Sequence, residues 1–174
     1  RSKVETGRYE CKQGFVDLSQ SRSEDKNLPS KILETICGIA NLGPDADGFI
    51  FVGVADSKSD ADRVKMLDNV NYVSVGTRHV VGIEREFSLL KCDSESYIER
   101  ILAFIRGSDL SDNLKNQILS QVDCVEYKGL SVVRIRIPAQ KEVSFLGDIA
   151  YIRENSSTIE AKGKKLLAVN ALFA

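Results

Sequence analysis

The sequence predicts an α+β fold, a mixed β-sheet flanked by helices. Three observations carry that expectation. A nearly continuous apolar run, "GFIFVGV" (Gly48 to Val54), lies between turn signals, as strands with helices on both sides do. The segment "VDCVEYKGLSVVRIRIP" holds two strand patterns around Lys128-Gly129, a strong hairpin signal. Three further stretches carry apolar residues at helical spacing and stand between the strands rather than after them.

In chain order, Tyr9 to Phe15 reads as a strand carrying charge, and "SQSRSEDK" (Ser19 to Lys26) as a loop. Asn27 to Leu42 reads as a helix. Pro29 suits its first turn, and Leu28, Ile32, Ile36 and Ile39 form one stripe. "GPDAD" is turn chemistry. After the Gly48 to Val54 strand, expected to be buried on both faces, "SKSDADR" reads as a polar, mobile segment. Tyr72 to Ile83 reads as two short strands joined near Gly76-Thr77. Ser94 to Arg106 and Asp112 to Gln121 read as helices. In the hairpin's second strand Val133, Ile135 and Ile137 alternate with Arg134 and Arg136, so one face is apolar and the other carries two guanidiniums. Ala150 to Arg153 is a further strand, "ENSS" a turn, and Lys164 to Phe173 a last helix.

Composition bounds the function. The 174 residues are 43% hydrophobic and 28% charged, the make-up of one ordinary globular domain, taken here as residues 1–174. The chain opens on Arg1, and it is expected to be a fragment of a larger protein. No run approaches the roughly 18 to 20 apolar residues of a membrane span, so a cytoplasmic protein is expected. A net charge of −1 and a pI near 6.0 are not the global footprint of a nucleic-acid binder; such a partner would need a local basic patch. Cys11, Cys37, Cys92 and Cys124 are scattered and His79 is the one histidine. That spacing does not suggest zinc, and reduced, buried thiols are expected.

The chemistry concentrates in "VETGRYECKQGF" (Val4 to Phe15). In a strand, residues i and i+2 share a face, so Glu10 and Lys12 project together, their Cα atoms roughly 6–7 Å apart. A carboxylate can hold a divalent cation while a lysine offsets charge on a phosphate. Glu5 would lie on the opposite face of a regular strand, but Gly7 permits a bend that returns it toward Glu10. Asp56 follows the buried strand, where its side chain can meet solvent; in open sheets, ligands bind at the carboxyl ends of strands. Three such carboxylates make a hard-oxygen site for Mg²⁺ or Mn²⁺. The plainer reading is an exposed Glu–Lys pair and an aspartate in a turn.

The pattern E-x4-E-x-K, then a helix ending in "ANLGPDADG", then "FIFVGVAD", "VVGI", "GLSVVRIRIP" and "AYIRENSSTIEA", resembles the Schlafen-type AlbA-like domain. The resemblance runs from about Glu5 to about Ala161 and is most specific from Ile36 to Asp56. It implies a single Schlafen/AlbA-like lobe. Active Schlafens are metal-dependent endoribonucleases that cut tRNA and rRNA. By position, the resemblance implies Glu5, Glu10 and Asp56 as the metal-binding acids, Lys12 as the lysine beside them, and Mg²⁺ or Mn²⁺ as cofactor. Arg78, Arg134, Arg136, Arg153, Lys162, Lys164 and Lys165 are candidates for contacts to the nucleic-acid backbone. The chain departs from the family in a longer turn before Gly48, in Cys11 between the Glu and Lys, and in an insertion at about 57–74. Vertebrate Schlafens enclose RNA with two lobes, so a homodimer or a fused effector domain would be needed for a comparable groove. In a bacterium, antiphage defence or stress response is the implied setting. The alternative is a non-catalytic DNA-, RNA- or nucleotide-binding regulatory domain of a larger protein; a protein-interaction scaffold is the weakest option.

Overall fold

A computed structural model describes residues 7–174. The expected α+β class holds. The main sheet has the order β1 (Tyr9–Lys12), β2 (Gly48–Val52), β7 (Leu130–Ile137), β6 (Val122–Tyr127). It is mixed: β1 runs parallel to β2, while β7 is antiparallel to both β2 and β6. A three-stranded sheet, β3 (Val54–Ala55), β5 (Arg78–Val80) and β4 (Val73–Val75), and a hairpin, β8 (Tyr151–Glu154) with β9 (Ser157–Glu160), complete the strands. The helices are α1 (Leu28–Ala40), α2 (Lys58–Asp68), α3 (Phe87–Leu90), α4 (Ser94–Arg106), α5 (Asp112–Leu119) and α6 (Lys164–Leu172).

One face of the main sheet meets the helices. Ile50, Val52, Val133, Ile135 and Ile137 pack with Ile32, Ile36 and Ile39 of α1, Tyr97, Ile101 and Ile105 of α4, and Leu114 and Ile118 of α5. Burial of this apolar layer is the main force holding sheet to helices. The expected alternation in β7 is thus realised.

Three expectations change. Gly48 to Val54 is not one strand buried on both faces. Gly53, at φ +105, occupies a conformation suited to glycine and turns the chain out of the main sheet into β3. Within β2, Phe49 and Phe51 stay half-exposed while Ile50 and Val52 are buried, so the strand has one core face. Second, "SKSDADR" is not a mobile segment but the start of α2. Ser57 caps that helix by accepting from the Asp60 N–H, as N-caps do, and Ala61 and Val64 bury against Ala55 and Val81. Third, the turn at "ENSS" narrows to Asn155-Ser156, and the chain returns from Ser157 as β9, giving a hairpin in place of a lone strand.

Two close approaches position the first strand. A Cβ on Gly48 would meet Ile39 at 2.1 Å and the Arg8 carbonyl at 2.8 Å, so glycine lets β2 begin directly under α1. A Cβ on Gly14 would strike the Glu86 carboxylate at 2.4 Å. Glu86 is fully buried. It accepts from the Phe15 and Val16 N–H groups and from the Tyr97 hydroxyl at 2.6–3.0 Å, fixing the chain just beyond β1. Burial and the Glu86 charge push the Tyr97 hydroxyl pKa well up.

Candidate functional site

Glu10 and Lys12 do share a face of β1. The register pairs Glu10 with Ile50 and Lys12 with Val52, which places both on the core side of the sheet rather than on its open side. At the rim of an apolar layer an ion is costly unless it is paired. Glu10 is 7% exposed. Its Oε2 meets Arg153 Nη2 at 3.0 Å, and its Oε1 lies 3.8 Å from Lys12 Nζ.

Arg153, on β8, was expected to reach a nucleic-acid backbone. Its side chain is only 1% exposed. Besides Glu10, the guanidinium donates to the carbonyls of Gly7 (3.1 Å) and Ser156 (3.2 Å) and to Thr158 Oγ1 (2.9 Å). Gly38 makes room for it: a Cβ there would crowd Arg153 Cγ and Cδ at 3.3 Å. Arg153 therefore ties β1, α1 and the β8–β9 hairpin to the Glu10 carboxylate. Spacing along the chain gives no hint of this, because the two partners lie near opposite ends of the sequence.

Asn41 belongs to the same junction. It is 2% exposed. Its amide donates to the carbonyls of Ser144 and Tyr151 and its oxygen accepts from the Ser144 N–H, all at 2.8–2.9 Å. The asparagine of "AN" thus fastens the end of α1 to β8. Nearby, burial raises the Cys37 thiol pKa to about 11, which keeps the sulfur in its unreactive form. None of the four cysteines is in a disulfide; Cys11 and Cys37 are buried, while Cys124 is exposed.

Asp56 is exposed in the turn between β3 and α2. The carboxyl ends of β1 and β2 are adjacent, since Lys12 pairs with Val52 and the Gly53 N–H donates to the Lys12 carbonyl at 2.8 Å. Glu5 lies outside the described residues. Among the described residues no group of three or more His, Cys, Asp and Glu side chains is placed to hold a metal ion. The donor chemistry nevertheless suits Mg²⁺ or Mn²⁺, which take carboxylate oxygens. Arg153 engages one Glu10 oxygen; the other lies 3.8 Å from Lys12, an ion-pair distance beyond hydrogen-bond range.

The other expected cations scatter. Lys162 pairs with Glu160 and Lys165 with Glu154, all on the surface. Lys164 is exposed and Arg78 half-buried on β5. Arg134 and Arg136 sit on the opposite face of the main sheet from Glu10. Arg134 forms a two-pronged pair with Asp123 (2.9 and 2.5 Å), and Arg136 meets Asp47 at the same distances. The structure brings Glu10, Lys12 and Arg153 together; it does not gather the seven basic residues into one patch.

Comparison with known proteins bears on this arrangement. The family model described as Schlafen, AlbA_2 matches residues 5–162, nearly the whole chain. No curated protein matches. Among solved structures, the crystal structure of the DIP2311 protein from Corynebacterium diphtheriae is similar at a TM-score of 0.53 and 15% identity; the match covers 92% of this chain and 23% of that one. The likeness supports the fold, and this chain spans about a quarter of that protein. Among the described residues no helix is long and apolar enough to cross a membrane.

Proposed function

Because the chain belongs to the Schlafen AlbA_2 family, with the nucleic-acid-related role that membership supports, we propose that it is a metal-dependent endoribonuclease acting on structured RNA such as tRNA. The observation that carries this reading is the Glu10–Lys12 pair at the carboxyl end of β1, one carboxylate oxygen fixed by Arg153 and the other facing the lysine at 3.8 Å. Bound Mg²⁺ or Mn²⁺, held by Glu10, Asp56 and Glu5, would lower the pKa of a coordinated water and offset charge on the phosphate. The chain supplies the rest. Arg153 holds the Glu10 carboxylate in one orientation, so little reorganisation is needed when substrate arrives. Lys12, with 27% of its side chain exposed, offers its ammonium to the scissile phosphate. An RNA of tRNA size needs a wider groove than one lobe offers, and a fused domain or second copy completes it. The setting we infer is the bacterial cytoplasm, in antiphage defence or stress response.

A second reading is a non-catalytic nucleic-acid-binding module that regulates a larger protein. The double pairing of Glu10 with Arg153 and Lys12 favours it, since the carboxylate charge is already offset from within.

A cleavage assay separates the two. Total tRNA is incubated with Mn²⁺ or Mg²⁺, or with EDTA, using the natural chain, Glu10→Gln and Asp56→Asn. Discrete fragments that need both the ion and the two acids are expected. Cleavage that survives both substitutions in a folded protein would remove the assigned site. Intact tRNA with the longest available form of the protein would favour the binding module.

A further inference from the structure

The face of the main sheet away from Glu10 is built differently. Its rows run Tyr9, Phe49, Arg136 and then Cys11, Phe51, Arg134, Asp123 across the strands. Tyr9 and Phe49 lie 5.9 Å apart with ring planes 15° from parallel; Phe49 and Phe51 lie 6.0 Å apart at 14°. All three rings are half-exposed. Beside them is a groove of about 470 Å³ lined by Asp47, Phe49, Ser120, Gln121, Asp123, Arg134 and Arg136.

The charges of this groove cancel. Each guanidinium turns its Nε and Nη2 to its own carboxylate, so two cations are balanced by two anions. That balance does not suit a phosphate, which wants unmatched positive charge. It suits a flat, neutral group with donors and acceptors around its edge. The carboxylates and Gln121 offer acceptors, the guanidiniums offer donors, and the part-exposed Phe49 ring offers apolar aromatic surface. The volume is that of a small-ligand site.

We propose that this groove receives an unpaired base of single-stranded RNA, stacked on Phe49 and read at its edge by Arg134, Arg136 and their aspartates. The inference rests on the nucleic-acid reading above, and it reassigns Arg134 and Arg136 from phosphate contacts to base contacts. It requires no metal and no cleavage.

The test is binding in EDTA of a short single-stranded RNA carrying 2-aminopurine, whose fluorescence falls when the base stacks. The natural chain and Phe49→Tyr are expected to quench it. Phe49→Leu is expected to bind about fivefold or more weakly, the lower end of the range for losing one aromatic stack, with unchanged circular dichroism. Arg136→Gln is expected to weaken binding while leaving its dependence on salt unaltered; a slope reduced by about one would show a phosphate contact instead and overturn the assignment. Equal affinity of Phe49→Leu, or competition by a duplex as effective as by the single strand, would also overturn it. So would a dimer of the natural chain that Phe49→Glu dissociates, since the face would then belong to a second copy. Glu10→Gln is expected to retain the quench, so loss of cleavage and loss of base stacking are read separately.

Discussion

The two faces of the main sheet spend charge in opposite ways. On the helix side, one carboxylate and one guanidinium are enclosed at the edge of an isoleucine layer, and each needs the other. On the open side, two guanidiniums and two carboxylates lie in solvent beside a row of rings. The distances are similar: 3.0 Å for Glu10 to Arg153, and 2.5 to 2.9 Å for Arg136 to Asp47. The surroundings are not. A buried ion pair loses a great deal when one partner is removed, because the remaining ion is left where water cannot reach it. An exposed pair loses little, because water replaces the partner. Distance alone is therefore a poor guide to which pair matters for folding.

The comparison can be broken most directly at Arg153. Arg153→Met is expected to destabilise the fold by about 3 kcal/mol, the low end for stranding a buried charge, because Lys12 remains near Glu10. Urea unfolding measures this, and a loss below about 1 kcal/mol would mean that the inner pair behaves like a surface pair. A second contrast uses neighbours on one strand. Ile50→Ala, at a fully buried position, is expected to cost about 3 kcal/mol. Phe49→Ala, half-exposed on the open face, is expected to cost only about 1 kcal/mol, a part of the full burial value of its ring. Equal losses would show that the open face is as well packed as the core. The smallest effect concerns acid. The Ala139 N–H and then Arg136 hold the Asp47 carboxyl below its ordinary pKa. A lowered pKa adds stability that is present above the unfolded value of about 3.9 and is lost as the pH falls through the folded one. Natural chain and Asp47→Asn are therefore expected to differ by less than about 1 kcal/mol at pH 7, and by less still at pH 3. A difference that persists at pH 3 would trace to packing rather than charge.

Much of the fold was legible because its signals are local. The β6–β7 hairpin announces itself through Lys128-Gly129 and the alternation that follows, and α4 runs over the same residues that its apolar spacing predicts. The helix α2 was obscured because "SKSDADR" is polar on nearly every side; only Ala61 and Val64 turn inward. The side on which β2 is covered was misread because an apolar run does not say whether both its faces meet protein. At the candidate site, the sharing of a face by Glu10 and Lys12 followed from strand periodicity. Which face it is did not, because that depends on how β1 registers beside β2. The roles of Arg153 and Glu86 were hidden for a related reason: each is defined by partners far away in sequence, and no spacing rule reaches them. Among basic residues, number and position along the chain do not reveal burial, so Arg153 looked the same as Lys162.

The Glu10–Arg153 contact also gives the molecule an order of events. A ribosome delivers Glu10 long before Arg153, and folding proceeds as the chain emerges. Until the β8–β9 hairpin closes over α1, the first strand lacks the cation that settles its carboxylate. The candidate site is thus a late-maturing part of the lobe, completed when Arg153 reaches Glu10, and a chain interrupted before Arg153 would carry the acidic strand without the clasp that orients it.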